Sequence, residues 1–262
     1  MFSWRARRQL VAFLLIAAVF AGIAFYGASK FLPSPTCFDS RKNQTELGVD
    51  CGGTCAPCEL RNPKSVSIFW ARVARAAPGI FDAAALVENP NEVLSSASLR
   101  YEFIFFDDVG QIGQREGSAF IFPQERVYIV EPHIELSRNP ARVEFRIAGI
   151  DWQARQDIPP TLVVQDRQYR IRETPAGRQS TAEATIANAS QFDFRRMETA
   201  IVVLDREGNL IGANRIVNEN IRAGGTAEVV SLWPAELSGE AAALEIQPRV
   251  NIFLPDAAVK PQ

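Results

Sequence analysis

The sequence predicts an all-β protein with two tandem β-sandwich domains behind an N-terminal apolar helix and a short cysteine-rich neck. Three observations predict it: an uncharged apolar stretch near the N-terminus, four clustered cysteines after it, and a set of strand-like segments that occurs twice. The expected divisions are an N-terminal segment 1–9, an anchor 10–32, a neck 33–62, repeats 63–156 and 157–255, and a tail 256–262.

The composition of the 262-residue chain is that of an ordinary globular protein, with 47% hydrophobic and 22% charged residues. This length provides material for two hydrophobic cores. The formal net charge is −2 and the sequence shows no basic face. Because a polyanion would find no surface of opposite charge, nucleic acid is excluded as a partner.

The first element is the apolar segment 10–26, which carries no charged residue. With the apolar residues Phe31 and Leu32 it is just long enough to span a bilayer. Three arginines precede it and only Lys30 follows closely, so the positive-inside rule places the N-terminus in the cytoplasm and the rest outside. A cleaved signal peptide is the alternative, with residues 27–29 as a weak cleavage site.

The second element is a cluster of four cysteines, and neither repeat contains another. Thiols outside the cytoplasm become oxidised and short segments cannot form a core, so two disulfides are expected, with three pairings open. A four-thiolate zinc site and a reactive Cys-x-x-Cys pair are the alternatives. The cysteines are Cys37, Cys51, Cys55 and Cys58.

Oxygen-bearing side chains lie between the first two cysteines, and a hard cation such as Ca²⁺ prefers such ligands. One interpretation is therefore a calcium site. The other is that these residues form the turns and caps of a small disulfide-bonded loop. They are Asp39, Asn43, Glu46 and Asp50.

The segment from Cys37 to Cys58 reads C-F-D-S-R-K-N-Q-T-E-L-G-V-D-C-G-G-T-C-A-P-C. It resembles a small cysteine motif of bacterial surface and secreted proteins, C-x-D-G-x-x-N-x-x-E-x-G-x-D-C-G-G-x-C-x-x-C, with Ser40 in place of the first glycine. The resemblance implies a bacterial, exported location and no particular activity.

The third element is the duplicated β region, in which the stretch from Trp70 to Glu144 recurs about a hundred residues later, from Tyr169 to Glu245. Landmarks kept in the same order at a fixed period indicate duplicated structural units. They include Asn89 and Asn188, Asp107 and Asp205, and the Glu-Leu-Ser sequences that begin at Glu135 and Glu236. The two asparagines are expected to fix loops through backbone hydrogen bonds.

Each repeat shows the two-residue period of strands, for example from Leu99 to Phe106 and from Met197 to Val203. An aspartate and a glycine follow each of these strands and predict a tight turn. About seven short strands per hundred residues, with no long amphipathic helix, favour an immunoglobulin-like sandwich; an up-and-down barrel is the alternative. Trp70, Trp152 and Trp233 are expected in the cores.

The sequence from Phe103 to Asp107 looks like a Phe-x-Leu-Tyr-Asp signature, and the segment from Val87 to Asn91 extends the likeness. It resembles a family of bacterial sandwich domains related to the late-embryogenesis-abundant fold, over about residues 66–152. The second repeat keeps only Asp205 of the signature. These domains are generally non-enzymatic, so the resemblance implies a fold more than a function.

The sequence predicts no enzyme. His133 is the only histidine, so any Ser-His or Cys-His arrangement would require it, and it is expected in a surface loop. Asp107 and Asp205 lie where hairpin turns require aspartate. The sequence has no glycine-rich phosphate loop, no H-E-x-x-H and no G-x-S-x-G.

The function that these features predict is that of a single-pass membrane protein whose sandwich domains bind or scaffold envelope or extracellular proteins. Exposed strand edges would allow binding by strand addition. A calcium or ligand receptor is the alternative, and an extracytoplasmic hydrolase is a further one. The short connection 157–160 is expected to restrict motion between the repeats.

Overall fold

A computed structural model describes residues 4–31, 36–155, 159–175 and 177–260. The chain forms two compact units, Met1–Cys58 and Glu59–Gln262. Leu32, at the end of the predicted anchor, and Asp157 and Ile158, in the predicted connection between the repeats, lie outside the described residues.

The first unit contains helix α1, Trp4–Phe31, and the cysteine-rich neck. Within α1 the segment Arg7–Gly27 is long and apolar enough to cross a membrane, and none of it is buried inside the structure. A helix that is apolar on all sides needs either a protein core or a lipid environment around it. The prediction of one N-terminal apolar helix is confirmed.

The second unit is built from antiparallel strands, and a short 3₁₀ turn, Cys58–Arg61, leads into it. The prediction of an all-β fold is confirmed. The strands are β1 Ser67–Ala77, β2 Ile80–Glu88, β3 Leu94–Phe106, β4 Gln111–Ile121, β5 Arg126–Glu135, β6 Arg142–Ala154, β7 Leu162–Thr174, β8 Gly177–Asn188, β9 Asp193–Leu204, β10 Leu210–Ile221, β11 Thr226–Trp233, β12 Ala243–Arg249 and β13 Ala258–Val259.

The sequence repeat corresponds to a repeat of topology. The first six strands form the sheets β1-β2-β5 and β4-β3-β6, and the next six form β7-β8-β11 and β10-β9-β12 in the same order. The short β13 adds to β9. In the described residues the first repeat thus has six strands and the second has six and the short β13; most are 10 to 13 residues long rather than short.

The first core lies between the two sheets of its repeat and is rich in aromatic rings. As the alternating pattern predicts, Leu99, Tyr101, Phe103 and Phe105 are all buried on one face of β3. Phe145 of β6 packs edge-on against Phe103, with ring centroids 4.9 Å apart. The second core has mainly aliphatic residues around Trp233, which is 1% exposed.

The Glu-Leu-Ser landmark has the same packing role in both repeats. Leu136 lies over Gly113 of β4, and Leu237 lies over Gly212 of β10. A Cβ atom on Gly212 would come within 2.5 Å of Leu237 Cδ1 and 3.3 Å of Trp233 Cε2. Both side chains are buried, so neither can move aside. The glycine is therefore required by the close approach of the core.

Gly212→Ala is expected to lower the free energy of unfolding by about 1–3 kcal/mol, because overpacking a filled core forces side chains from their preferred rotamers. Gly110→Ala is the matched control, since a Cβ there meets nothing within 4 Å. Urea denaturation of the detergent-solubilised chain measures both. Equal midpoints for the two variants would contradict the close packing at Gly212.

Candidate functional site at the junction of the repeats

The neck is held by two disulfides, Cys37–Cys55 and Cys51–Cys58. This is one of the three pairings that the sequence left open. A disulfide sulfur is not a thiolate. The four disulfide-bonded cysteines therefore do not supply the ligands of the alternative four-thiolate zinc site.

The predicted calcium ligands accept hydrogen bonds from the turns of the neck. Asp50 accepts one from the backbone N–H of Asp39 at 3.0 Å. Glu46, 7% exposed, accepts from the N–H groups of Asn43 and Asp50 at 3.2 and 3.1 Å. The side-chain amide of Asn43 donates to Asp39 at 2.7 Å. These contacts are those of turn and cap residues, the second interpretation of the sequence.

The described residues do not bring the three neck carboxylates together as one set of ligands. The close grouping found among them joins Glu46 to the sulfurs of Cys37 and Cys55. Those two sulfurs are bonded to each other. Calcium binding by the neck stays a prediction.

The candidate catalytic residues of the sequence do not meet. His133 is exposed, but it lies in β5 rather than in a loop, with a left-handed backbone at φ 57°. Asp107 accepts the N–H groups of Val109 and Gly110 at 2.9 and 2.8 Å, which closes the β3–β4 turn. These donors hold the pKa of the Asp107 carboxyl below its usual range. Asp205 closes the equivalent turn.

The two repeats pack face to face through small apolar residues. The outer face of the sheet β1-β2-β5 lies against the outer face of β10-β9-β12. Small side chains allow two sheets to approach closely, and the resulting layer excludes water. The buried residues of this layer are Ala74, Ala84, Val130, Ala200, Val202, Leu210 and Ala213.

A carboxylate that the sequence analysis missed lies in this layer. Asp82 of β2 is fully buried. Its Oδ2 accepts hydrogen bonds from Trp233 Nε1 at 2.8 Å and from the backbone N–H of Ala213 at 3.2 Å. Its Oδ1 accepts the N–H of His133 at 3.1 Å. Burial raises the pKa of Asp82, although all three donors act to lower it. Because two donors come from the second repeat, Asp82 joins the repeats.

Two side chains of β12 close the edge of the first repeat. Gln247 accepts the N–H of Tyr128 at 2.9 Å and donates to the carbonyl of Arg126 at 2.8 Å, as a neighbouring strand would. Arg249, 11% exposed, binds Glu125 at 2.7 Å and the carbonyl of Phe120 at 2.7 Å. These edges of β5 and β4 are therefore already occupied.

A cleft of about 130 Å³ remains between the repeats, beside Gln247 and Arg249. Buried Glu131 lies next to the cleft. Its carboxylate accepts hydrogen bonds from Tyr101 Oη at 2.7 Å and from Arg115 Nε at 3.1 Å. Arg215 lines the cleft, and its guanidinium lies 4.0 Å from Glu131. Burial, followed by the charge of Glu131, raises the pKa of the Tyr101 hydroxyl. The cleft thus presents a cation beside a polar, partly enclosed space.

One signal in the sequence could have identified the junction. Asp82 stands alone as a charge in the apolar strand I-F-D-A-A-A-L-V, and the second repeat has Thr181 at the equivalent position. A buried lone charge needs partners, which implies a contact outside the repeat itself. Gln247 and Arg249 carry no comparable signal. No protein-family model matches this sequence, and no curated protein matches it either.

Proposed function

We propose that this chain is a single-pass membrane protein that holds its two β repeats outside the cytoplasm as a non-enzymatic binding or scaffold protein. Its partners would be envelope or extracellular proteins. The observation that carries the proposal is α1, whose membrane-length apolar segment is not buried by the rest of the structure. The charge bias before it gives the orientation, and the disulfides of the neck suit an oxidising compartment.

The packing of the repeats supports a scaffold role. Asp82, Gln247 and Arg249 each bridge the two repeats, and the layer between them is apolar. A large apolar contact reinforced by buried hydrogen bonds fixes one arrangement. A fixed arrangement presents a constant surface to partners.

Strand addition requires a free edge, and β6 offers one in the described part of the chain. This strand of 13 residues has β3 as its one neighbour in the sheet. The edge of β11, in contrast, is covered where Asn218 Nδ2 donates to the carbonyl of Glu228 at 2.9 Å. Strands β1, β7 and β12 are also edges of their sheets, and β6 approaches β1 on its unpaired side. Among these edges we propose β6 as the one along which a partner strand binds.

The test is site-specific photocrosslinking in intact cells. A photoreactive residue replaces Arg146 of β6 in one variant and Glu228 of β11, as the matched control, in another; both positions are exposed. The proposal predicts a discrete crosslinked envelope protein from position 146 only. No crosslink at 146, or the same products from both positions, would contradict it.

A second candidate function is reception of a small carboxylate ligand in the cleft between the repeats. The observation that favours it is Arg215, whose nearest carboxylate is 4.0 Å away. Titration calorimetry with acetate and succinate should give binding that Arg215→Gln abolishes. Arg172 is an exposed arginine that pairs with Glu183 on the sheet β7-β8-β11, away from the cleft. Arg172→Gln should therefore leave binding unchanged. Absence of heat with both probes would exclude this function for the two ligands.

A further inference from the structure

Between Cys37 and Cys58 the neck exposes three large apolar side chains. Phe38 is 90% exposed, Leu47 75% and Val49 46%. Apolar groups so fully exposed in one short loop mark a contact surface rather than a solvated one.

A tight turn beside the disulfides carries one of these side chains. Gly48 and Cys51 form a β-bridge, and Val49 and Asp50 between them make the turn. A Cβ atom on Gly48 would lie 2.9 Å from Cys51 Sγ and 3.2 Å from Cys58 Sγ, so Gly48 packs against the sulfur atoms. The disulfides therefore support the turn that carries the exposed side chain of Val49.

The position of this loop in the chain identifies what the surface contacts. Helix α1 has 28 residues and is about 42 Å long at 1.5 Å per residue. The hydrocarbon core of a bilayer is about 30 Å thick, so the ends of α1 reach the headgroup layers. Phe38 follows the helix end, Phe31, by seven residues, which span at most about 25 Å when fully extended. The neck is therefore confined near the membrane surface.

We propose that Phe38, Leu47 and Val49 insert into the interfacial layer of the membrane that holds α1. Exposed Arg41 and Lys42 lie in the same loop and would contact anionic headgroups. Exposed apolar side chains with basic side chains in the same loop are the chemistry of an interfacial membrane contact. The inference rests on the proposed anchoring by α1. It adds the neck as a second, shallow attachment to the membrane.

The test uses the full chain in vesicles of phosphatidylcholine and phosphatidylglycerol with brominated acyl chains, which quench tryptophan on contact. Phe38→Trp carries the probe, and Thr54→Trp, an exposed position in the same loop, is the matched control. The emission that each variant adds to that of the wild type is compared. We expect the emission from position 38 to be quenched about twofold more than that from 54, with bromine near the headgroups most effective.

Equal quenching at the two positions, or none at position 38, would overturn the inference. Alkaline carbonate extraction of the same vesicles separates this from failure of the anchor. A chain that resists extraction while Trp at 38 stays unquenched retains the proposed anchor and loses the interfacial contact. Release of the chain by carbonate would overturn both.

Discussion

Asp82→Ala is expected to lower the free energy of unfolding of the β unit by about 3–5 kcal/mol, since it leaves buried donors without an acceptor. The orphaned groups would be Trp233 Nε1 and the N–H groups of Ala213 and His133. Urea denaturation followed by tryptophan fluorescence measures the loss. Thr181→Ala, the equivalent position in the second repeat, is the control and removes one hydrogen bond of 3.3 Å. Similar losses in the two variants would contradict the junction.

The stability contributed by Asp82 should depend on pH in a defined direction. Burial raises the pKa of this carboxyl above its ordinary value. A group with a raised pKa contributes fully below its unfolded pKa and loses that contribution as the pH rises through its folded pKa. The stability gap between the wild type and Asp82→Asn should therefore be largest in acid. A stability gap that widens with rising pH would show that the three hydrogen-bond donors lower the pKa of Asp82 more than burial raises it.

Asn89→Ala is expected to cost about 3 kcal/mol, for a related reason. Asn89 is fully buried, and its Nδ2 donates to the carbonyls of Leu94 and Phe122 at 2.7 and 2.8 Å. Its Oδ1 accepts the N–H of Asn91 at 3.1 Å. Alanine leaves these backbone groups buried and unpaired. The same urea denaturation measures the change in unfolding free energy.

The second repeat provides a parallel test of this role. Asn188 donates to the carbonyls of Phe192 and Arg222 at 2.8 and 3.0 Å, so Asn188→Ala should cost a similar amount. Asn209→Ala, in an exposed turn, should cost less than about 1 kcal/mol. If both buried variants behaved like Asn209→Ala, the asparagines would not brace the strand ends.

The outer faces of the central strands β2 and β8 differ between the two repeats. In the first repeat the outer face of β2 carries Ala84, which is fully buried against the second repeat. The equivalent positions around Glu183 in β8 are polar, and Thr181 and Thr185 flank it on the same face. The outer face of β8 is therefore polar at the positions where that of β2 is apolar.

The sequence predicted those features that depend on local order. The apolar run of α1, the turn at Asp107 and the bracing role of Asn89 follow from side chains acting on nearby backbone. The duplication allowed the inferences about Asp107 and Asn89 to be checked against Asp205 and Asn188 in the second copy. The disulfide pairing stayed open, because spacing alone does not choose among three connectivities.

The junction could not be predicted in the same way. Gln247 and Arg126 are far apart in sequence, and their contact depends on how the two repeats pack against each other. The alanines of β1 and β2 are compatible with any close-packed face, so they did not indicate a second layer. The position of His133 in β5 follows from the irregular pairing of β2 and β5 opposite Asp82. Such irregularities arise from tertiary contacts rather than from local period.

Intact-mass spectrometry of membrane-extracted protein, with thiol alkylation before and after reduction, most directly tests whether this is an anchored, exported protein. We expect a chain that keeps its N-terminal helix, takes up no alkyl groups before reduction and gains them at Cys37, Cys51, Cys55 and Cys58 afterwards. A shortened chain lacking α1, or cysteines that react without reduction, would contradict it.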